Sequence, residues 1–298
     1  MSEQLQTPVL FVIFNRPETE RRVFAEIRKA RPKKLYVVAD GPRPHQAGEA
    51  ERCAEARAII DEVDWDCEVI KNYSEVNLGC KIRVSSGLDW FFQNVEEGIV
   101  LEDDCLPHPS FFPYCEEMLA RYRNDRRVSI ISGVNLQFGR QRGEGSYYFS
   151  RMCHIWGWAS WRRVWQNYDV KMATWPEFKQ EDGINKIWRR WHTRRYWNKI
   201  FQRIYDNEIN TWDYQLVYSI WKNDGLSVIP NVNLVSNIGF QAGGTHTQSY
   251  HKFADLPTYD LGAIKHPSVV AQDVVADEYY ARNLTLFGRI WNRLKFLN

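Results

Sequence analysis

The chain has 298 residues, enough for one large α/β domain or two ordinary ones. Its 44% hydrophobic and 26% charged content suits a globular protein with a sizeable core and excludes a disordered chain, while a formal net charge of +2 says nothing by itself about partners. The N-terminus lacks a basic region followed by a long apolar one, and the longest purely apolar run, Val9 to Phe14, is far short of the roughly 20 residues a spanning helix needs, so a cytoplasmic location is expected. Cys53, Cys67, Cys80, Cys105, Cys115 and Cys153 form no CxxC pair, which argues against a disulfide framework or a zinc site.

In chain order, Val9 to Phe14 reads as a buried parallel strand, and Pro17 sits where a helix can begin, with Val23, Phe24 and Ile27 on one side of it. Lys34 to Ala39 is a second strand ending in the turn signal Asp40-Gly41-Pro42, and Ala47 to Val63 a second helix. Cys67 to Ile70, Ile82 to Phe92 and Gly98 to Leu101 continue as strand, helix and strand, and a further helix is predicted near Pro109 to Tyr122. This β-α-β-α alternation predicts an α/β fold whose mostly parallel sheet binds ligands outside the carboxyl ends of its strands. Asn15, Arg16, Asp40 and the triplet Glu102-Asp103-Asp104 all fall at such ends.

There is neither a GxGxxG after the first strand nor a GxxxxGK[ST], so a dinucleotide fold and a P-loop are both unsupported. A divalent metal held by carboxylates is another device for binding phosphate, and hard oxygen ligands suit Mg²⁺ or Mn²⁺. Alternation along an extended chain predicts Glu102 and Asp104 on one face and Asp103 on the other. The plainer alternative is a loop start in which an acid caps the following helix.

The stretches "FVIFNRP" (Phe11 to Pro17), "VVADGPR" (Val37 to Arg43), "GCKIRVSSGLDWFF" (Gly79 to Phe92) and "GIVLEDDCLPHPSFF" (Gly98 to Phe112) are followed by "WGWASWRRVW" (Trp156 to Trp165), "TWDYQ" (Thr211 to Gln215) and "SNIGFQAGGTHT" (Ser236 to Thr247). In this order, over about residues 8 to 250, the sequence resembles the nucleotide-diphospho-sugar transferases of the GT-A fold, in particular bacterial relatives of N-acetylglucosaminyltransferase I. The resemblance implies a Rossmann-like, mostly parallel central sheet flanked by helices, with a Trp-rich helical acceptor-side half. It divides a single domain into a nucleotide-sugar-binding half (1–134) and an acceptor-side half with a closing loop (135–270), followed by an amphipathic helical tail (271–298).

The activity implied is inverting, metal-dependent transfer of a sugar from a nucleoside diphosphate, most readily a UDP-sugar, to a hydroxyl of a saccharide or lipid-linked acceptor in bacterial surface polysaccharide or glycolipid synthesis. Residue by residue, the resemblance gives Arg16 and Asp40 to the nucleotide, with Asp40 on the base edge, and Lys81 and Arg83 to the stretch covering it. Glu102 goes to the donor sugar, Asp103 to the ribose hydroxyls, Asp104 to Mn²⁺ or Mg²⁺, Asp213 to the general base and His246 to a segment over the diphosphate. Each has a structural alternative: Asp213 as a first-turn acid of a helix Trp212 to Trp221, Trp156 or Trp158 as core, His246 as a polar loop residue, Arg16 as a surface cation.

Between Lys186 and Arg203 lie seven Lys or Arg residues and no acid, interleaved with Trp188, Trp191, Tyr196, Trp197 and Phe201. A helix with one buried side and a solvated cationic face explains this, as does contact with an anionic acceptor or a membrane surface. Leu284, Phe287, Trp291 and Leu294 beside Arg282, Arg289, Arg293 and Lys295 repeat the interfacial pattern near the C-terminus, which is equally suited to docking on the protein body or a second subunit. A non-catalytic protein that binds nucleic acid or anionic glycan is the alternative function. The near-neutral charge and the crowded carboxylates count against it, and no nucleic-acid partner is expected.

Overall fold

The computed structural model describes residues 4–240 and 253–283. The first half alternates strand and helix: β1 (Val9–Ile13), α1 (Pro17–Ala30), β2 (Lys34–Ala39), α2 (Glu49–Ile59), β3 (Glu68–Tyr73), α3 (Gly79–Asn94) and β4 (Glu97–Glu102). Pro17 opens α1, where its missing N–H costs nothing, and Glu18 and Glu20 lie in the positive first turn. The helix ends at Arg31, whose left-handed φ of 50° lets its N–H reach the Ile27 carbonyl.

The second half contains β5 (Cys105–Pro107), α4 (Phe111–Tyr122), β6 (Val128–Ser132), β7 (Tyr147–Ser150), β8 (Trp158–Trp161), α5 (Arg162–Trp165), α6 (Trp175–Gln180), α7 (Gly183–Ile187), α8 (Trp191–Tyr205), α9 (Asp213–Lys222), β9 (Leu226–Pro230) and β10 (Val235–Asn237). The main sheet has the order β3-β2-β1-β4-β8-β6-β9-β7. β1, β2, β3, β4, β6 and β9 run one way, and β7 and β8 run against them. The expected α/β class with a mostly parallel sheet flanked by helices is therefore present. Strands from both sides of residue 134 share that one sheet.

Alternation along β1 splits the core into two layers. Val9, Phe11 and Ile13 face the layer under α1, α2 and α4, whereas Leu10 and Val12 face α3, α8 and α9. The second layer buries Trp158, Trp165, Trp175, Trp188, Trp197, Trp212 and Trp221. Seven of the thirteen tryptophans thus serve packing, which accounts for most of the Trp enrichment after residue 150.

Two local expectations are revised, and the glycine at position 41 finds its reason in space rather than in backbone angle. α3 begins at Gly79 rather than Ile82, because the Asp40 carboxylate accepts the otherwise orphaned N–H groups of Leu78 and Gly79, each at 2.9 Å. Gly41 does not need a positive φ; it is glycine because the backbone of Val76 passes only 2.5 Å from where a Cβ would sit. The basic aromatic segment forms two helices, α7 and α8, separated at extended Trp188.

Residues 274–283 are helical, and Asp277 within them accepts hydrogen bonds from the Ser150 hydroxyl and, at 2.9 Å, from the Arg151 amide, so the start of the tail docks on the body. Leu284 onward and His246 lie outside the described residues. No helix among the described residues is long and apolar enough to cross a membrane.

Candidate active site

Parallel strands β1, β2 and β4 end along one edge of the sheet and deliver Arg16, Asp40 and Glu102 to a cavity of ≈ 660 Å³. Pairing with β1 continues one residue past β4, with the Asp103 N–H on the Val12 carbonyl at 3.0 Å, and the chain then turns through Asp103 and Asp104. That turn overrides strict alternation. Asp103 and Asp104 both reach Arg16, Asp104 Oδ2 accepting from Arg16 Nη1 at 2.8 Å and Asp103 from Nε and Nη2.

The pairing explains how adjacent carboxylates are tolerated at a buried strand end. Burial works against the Arg16 charge, but Asp103 and Asp104 more than offset it and hold Arg16 above the ordinary guanidinium value. Asp103 is only 2% exposed, and burial pushes it up to about 6 despite its arginine. Glu102 is pushed up to about 8 by burial and then by Asp104 and Asp103. Three adjacent acids thus share essentially one cation.

The remaining first-half residues hold the frame. Asp40 accepts three backbone N–H bonds, from Gly41, Leu78 and Gly79, and so fixes the loop leading into α3. Asn15 donates to Glu49 at 2.8 Å. Arg83, 6% exposed, lines the cavity and donates through Nη2 to the carbonyl and side-chain oxygen of Asn72; it forms no ion pair with a described residue. Lys81 instead donates to Asn207 at 3.1 Å and does not line the cavity, whereas its neighbour Cys80 does.

Asp213 also lines this cavity. It is the first residue of α9, as its reading as a helix-start acid requires, yet it also faces the cavity. The preceding Trp212 stacks on Trp158 of β8, with ring centroids 6.2 Å apart, and its carbonyl accepts from Tyr168 Oη at 3.1 Å; these contacts anchor the start of α9. The Thr211 hydroxyl donates to Asp213 Oδ1, a contact that the sequence signals only by adjacency. Asp213 is close enough to Glu102 to add to its upward push.

A second cavity of ≈ 310 Å³ adjoins the first. Ile155, Trp156, Asp213 and Phe240 line both. The second is otherwise mostly apolar, with Trp197, Tyr214, Phe253 and Tyr280 among its walls. Trp156 packs edge-on against Phe240 at 5.6 Å and faces the cavities, whereas Trp158 is 1% exposed and belongs to the core. His154, also in the second cavity, is held down to about 4 by burial.

β10 pairs with β5 beyond the triplet and carries the chain back over Asp104, with the Ile238 N–H on the Asp104 carbonyl at 2.8 Å. Gly239 follows. A Cβ there would lie 2.3 Å from Asp104 Oδ2 and 2.8 Å from Arg16 Nη1, so any side chain at this position would require the ion pair or the strand end to shift. Nothing but its membership of a glycine-rich loop signals this in the sequence.

Among the described residues no three His, Cys, Asp or Glu side chains are grouped to hold a metal ion. Asp104, with 15% side-chain exposure, offers one carboxylate to the cavity. That suits Mg²⁺ or Mn²⁺ bound through a single carboxylate plus phosphate oxygens and water, and not a cage built by protein alone.

No protein-family model and no curated protein matches the chain. Solved structures similar to it include a mannosyltransferase from Pyrobaculum calidifontis in complex with GDP-Man and Mn²⁺, at 11% identity over 74% of this chain and 70% of that one, with a TM-score of 0.40. An apo-UDP-glucose pyrophosphorylase aligns at 8% identity over 74% and 90%, with a TM-score of 0.36. The glycosyltransferase GlyE of Streptococcus pneumoniae aligns at 11% identity over 75% and 45%, with a TM-score of 0.34.

Proposed function

We propose that the protein is an inverting, metal-dependent glycosyltransferase that moves a sugar from a nucleoside-diphosphate donor to an acceptor hydroxyl, as a bacterial relative of N-acetylglucosaminyltransferase I. The observation that carries this reading is that Asp213 lines the same cavity as the Arg16, Asp103 and Asp104 cluster and also lines the adjoining aromatic cavity. A donor in the larger cavity would set its phosphates toward Asp104 and its hydroxyls toward Asp103 and Glu102. Arg83 would add positive charge for the nucleotide. The acceptor would lie against Trp156 in the smaller cavity, where aromatic faces suit the C–H faces of a sugar ring.

In this reading the acceptor oxygen attacks the anomeric carbon as the bond from that carbon to the diphosphate oxygen breaks. The Asp213 carboxylate accepts the hydroxyl proton. A divalent ion held by Asp104, when bound, supplies Lewis-acid stabilisation of the departing diphosphate. Attack from the face opposite the leaving group inverts the anomeric centre. UDP-sugars are the first donors to test, and a saccharide or lipid-linked acceptor in surface polysaccharide or glycolipid synthesis is the setting proposed.

The test is a thermal-shift screen of nucleoside-diphosphate sugars with Mn²⁺ or chelator, followed by transfer assays. Stabilisation by one donor only with metal, abolished in Asp104→Asn, is expected. Full activity in chelator would remove the metal role, and stabilisation by oligonucleotides but by no nucleotide sugar would overturn the transferase reading.

A further inference from the structure

The cations between Lys186 and Arg203 fall into two groups. Arg190 pairs with Glu278 and Arg203 pairs with Glu208 at 2.9 Å, yet Lys186, Arg189, Arg194, Arg195 and Lys199 form no ion pair with any described residue. Lys186, Arg189, Arg195 and Lys199 are exposed. On α8, residues 191, 195 and 199 recur every four positions and form one outward stripe, while Thr193, Trp197, Phe201 and Ile204 are buried on the other side. Trp191, 61% exposed, heads that stripe. An outward indole costs apolar exposure, and five positive charges with no ion pair to a described residue lie within eight positions of it in the chain.

We propose that the outward stripe of α8, together with the exposed cations Lys186 and Arg189 that precede it in the chain, is a docking surface for an anionic phospholipid bilayer. Flexible cations with no fixed hydrogen-bonding frame suit a fluid layer of negative headgroups, and a tryptophan among them suits the polar–apolar boundary where indoles partition. Single-stranded nucleic acid fits less well, because its binding uses a groove and several stacking aromatics, and here a convex helix presents one outward Trp. The geometry also has a use: Trp197, on the buried side of α8, lines the aromatic cavity beside Asp213, so bilayer contact would bring that cavity close to the lipid surface. The docking surface does not depend on the transferase reading.

The experiment is co-sedimentation of the full chain with vesicles of pure phosphatidylcholine and of equal parts phosphatidylcholine and phosphatidylglycerol, at low and high salt. Binding to the mixed vesicles alone, falling as salt rises, is expected. Each neutralised cation should weaken it roughly fivefold. Arg195→Glu with Lys199→Glu should therefore lose well over tenfold, and Lys186→Glu with Arg189→Glu provides a second pair if the first lowers the melting temperature. Trp191→Ala should weaken binding less, and the remainder should keep its salt dependence. Equal binding to both vesicle types, wild-type binding by both charge-reversed pairs, or displacement from mixed vesicles by a single-stranded oligonucleotide at stoichiometric amounts would overturn the proposal.

Discussion

Asp213 lines two adjoining cavities: the larger also carries Arg16, Arg83, Glu102, Asp103 and Asp104, the smaller also carries Trp197, Tyr214, Phe253 and Tyr280, and Trp156 belongs to both. The charged side is assembled at strand ends, where β1 and β4 stop in register and a single arginine holds two carboxylates. The aromatic side is assembled by packing, and its walls continue the Trp-rich core behind them. A charged site built this way depends on individual pairings, because each unpaired charge in it is costly. An aromatic site tolerates more change, since many contacts share its energy.

The largest effect should come at the boundary between the two. Asp213→Asn keeps the shape of both cavities but removes the proton acceptor, so turnover should fall by about 10²–10⁴-fold while the donor-induced thermal shift persists. Normal turnover in that variant would reduce Asp213 to a helix-start acid.

The aromatic side can be divided by its two neighbouring tryptophans. Trp158→Ala should cost about 3–5 kcal/mol of stability in denaturant unfolding, because it empties a fully buried site that also supports Trp212. Trp156→Ala should cost roughly 1–2 kcal/mol and raise the acceptor KM. Equal destabilisation by the two would mean that Trp156 is core as well.

A smaller effect should come from the charged side. Glu20, on α1 one turn beyond Arg16, is 0% exposed, and neither carboxyl oxygen has a hydrogen-bond partner among the described residues. Burial, then the neighbouring Asp103, pushes it up to about 9. For an acid raised in this way, the contribution to stability is full below its ordinary value of 4.5 and is lost as pH rises toward 9. Glu20→Gln should therefore stabilise the protein at pH 7 by roughly 2 kcal/mol, with the gain vanishing near pH 4. Thermal melts across that range check it; a variant less stable than wild type at pH 7 would show that the carboxyl has a partner it needs.

The sequence is most legible where one kind of signal acts alone. β1, β2 and β4 are short apolar runs ending in turn or acidic residues, and each is found within about one residue at either end. β6, β7, β8 and β9 are not anticipated: they are four or five residues long, buried on both faces and set among loops and Trp-rich stretches, so neither period 2 nor period 3.6 marks them. At the site, strand-end position identifies Arg16, Asp40 and the acidic triplet. What those residues touch is not legible, because Arg16 and Asp103 are 87 positions apart and Asp40 reaches 38 positions to Leu78. The part of Asp40 in holding α3 and the turn that overrides alternation at Asp104 are both products of long-range packing.

Gly239 gives the charged site a mechanical tolerance. The chain leaving β10 passes so close to Arg16 and Asp104 that their present arrangement has room only for a glycine at position 239. A single methyl group there, adding no charge and removing none, would act as a wedge. It would displace the guanidinium and the carboxylate or lift the strand end away from them, making Gly239 a clearance gauge for the one cation that three acids share.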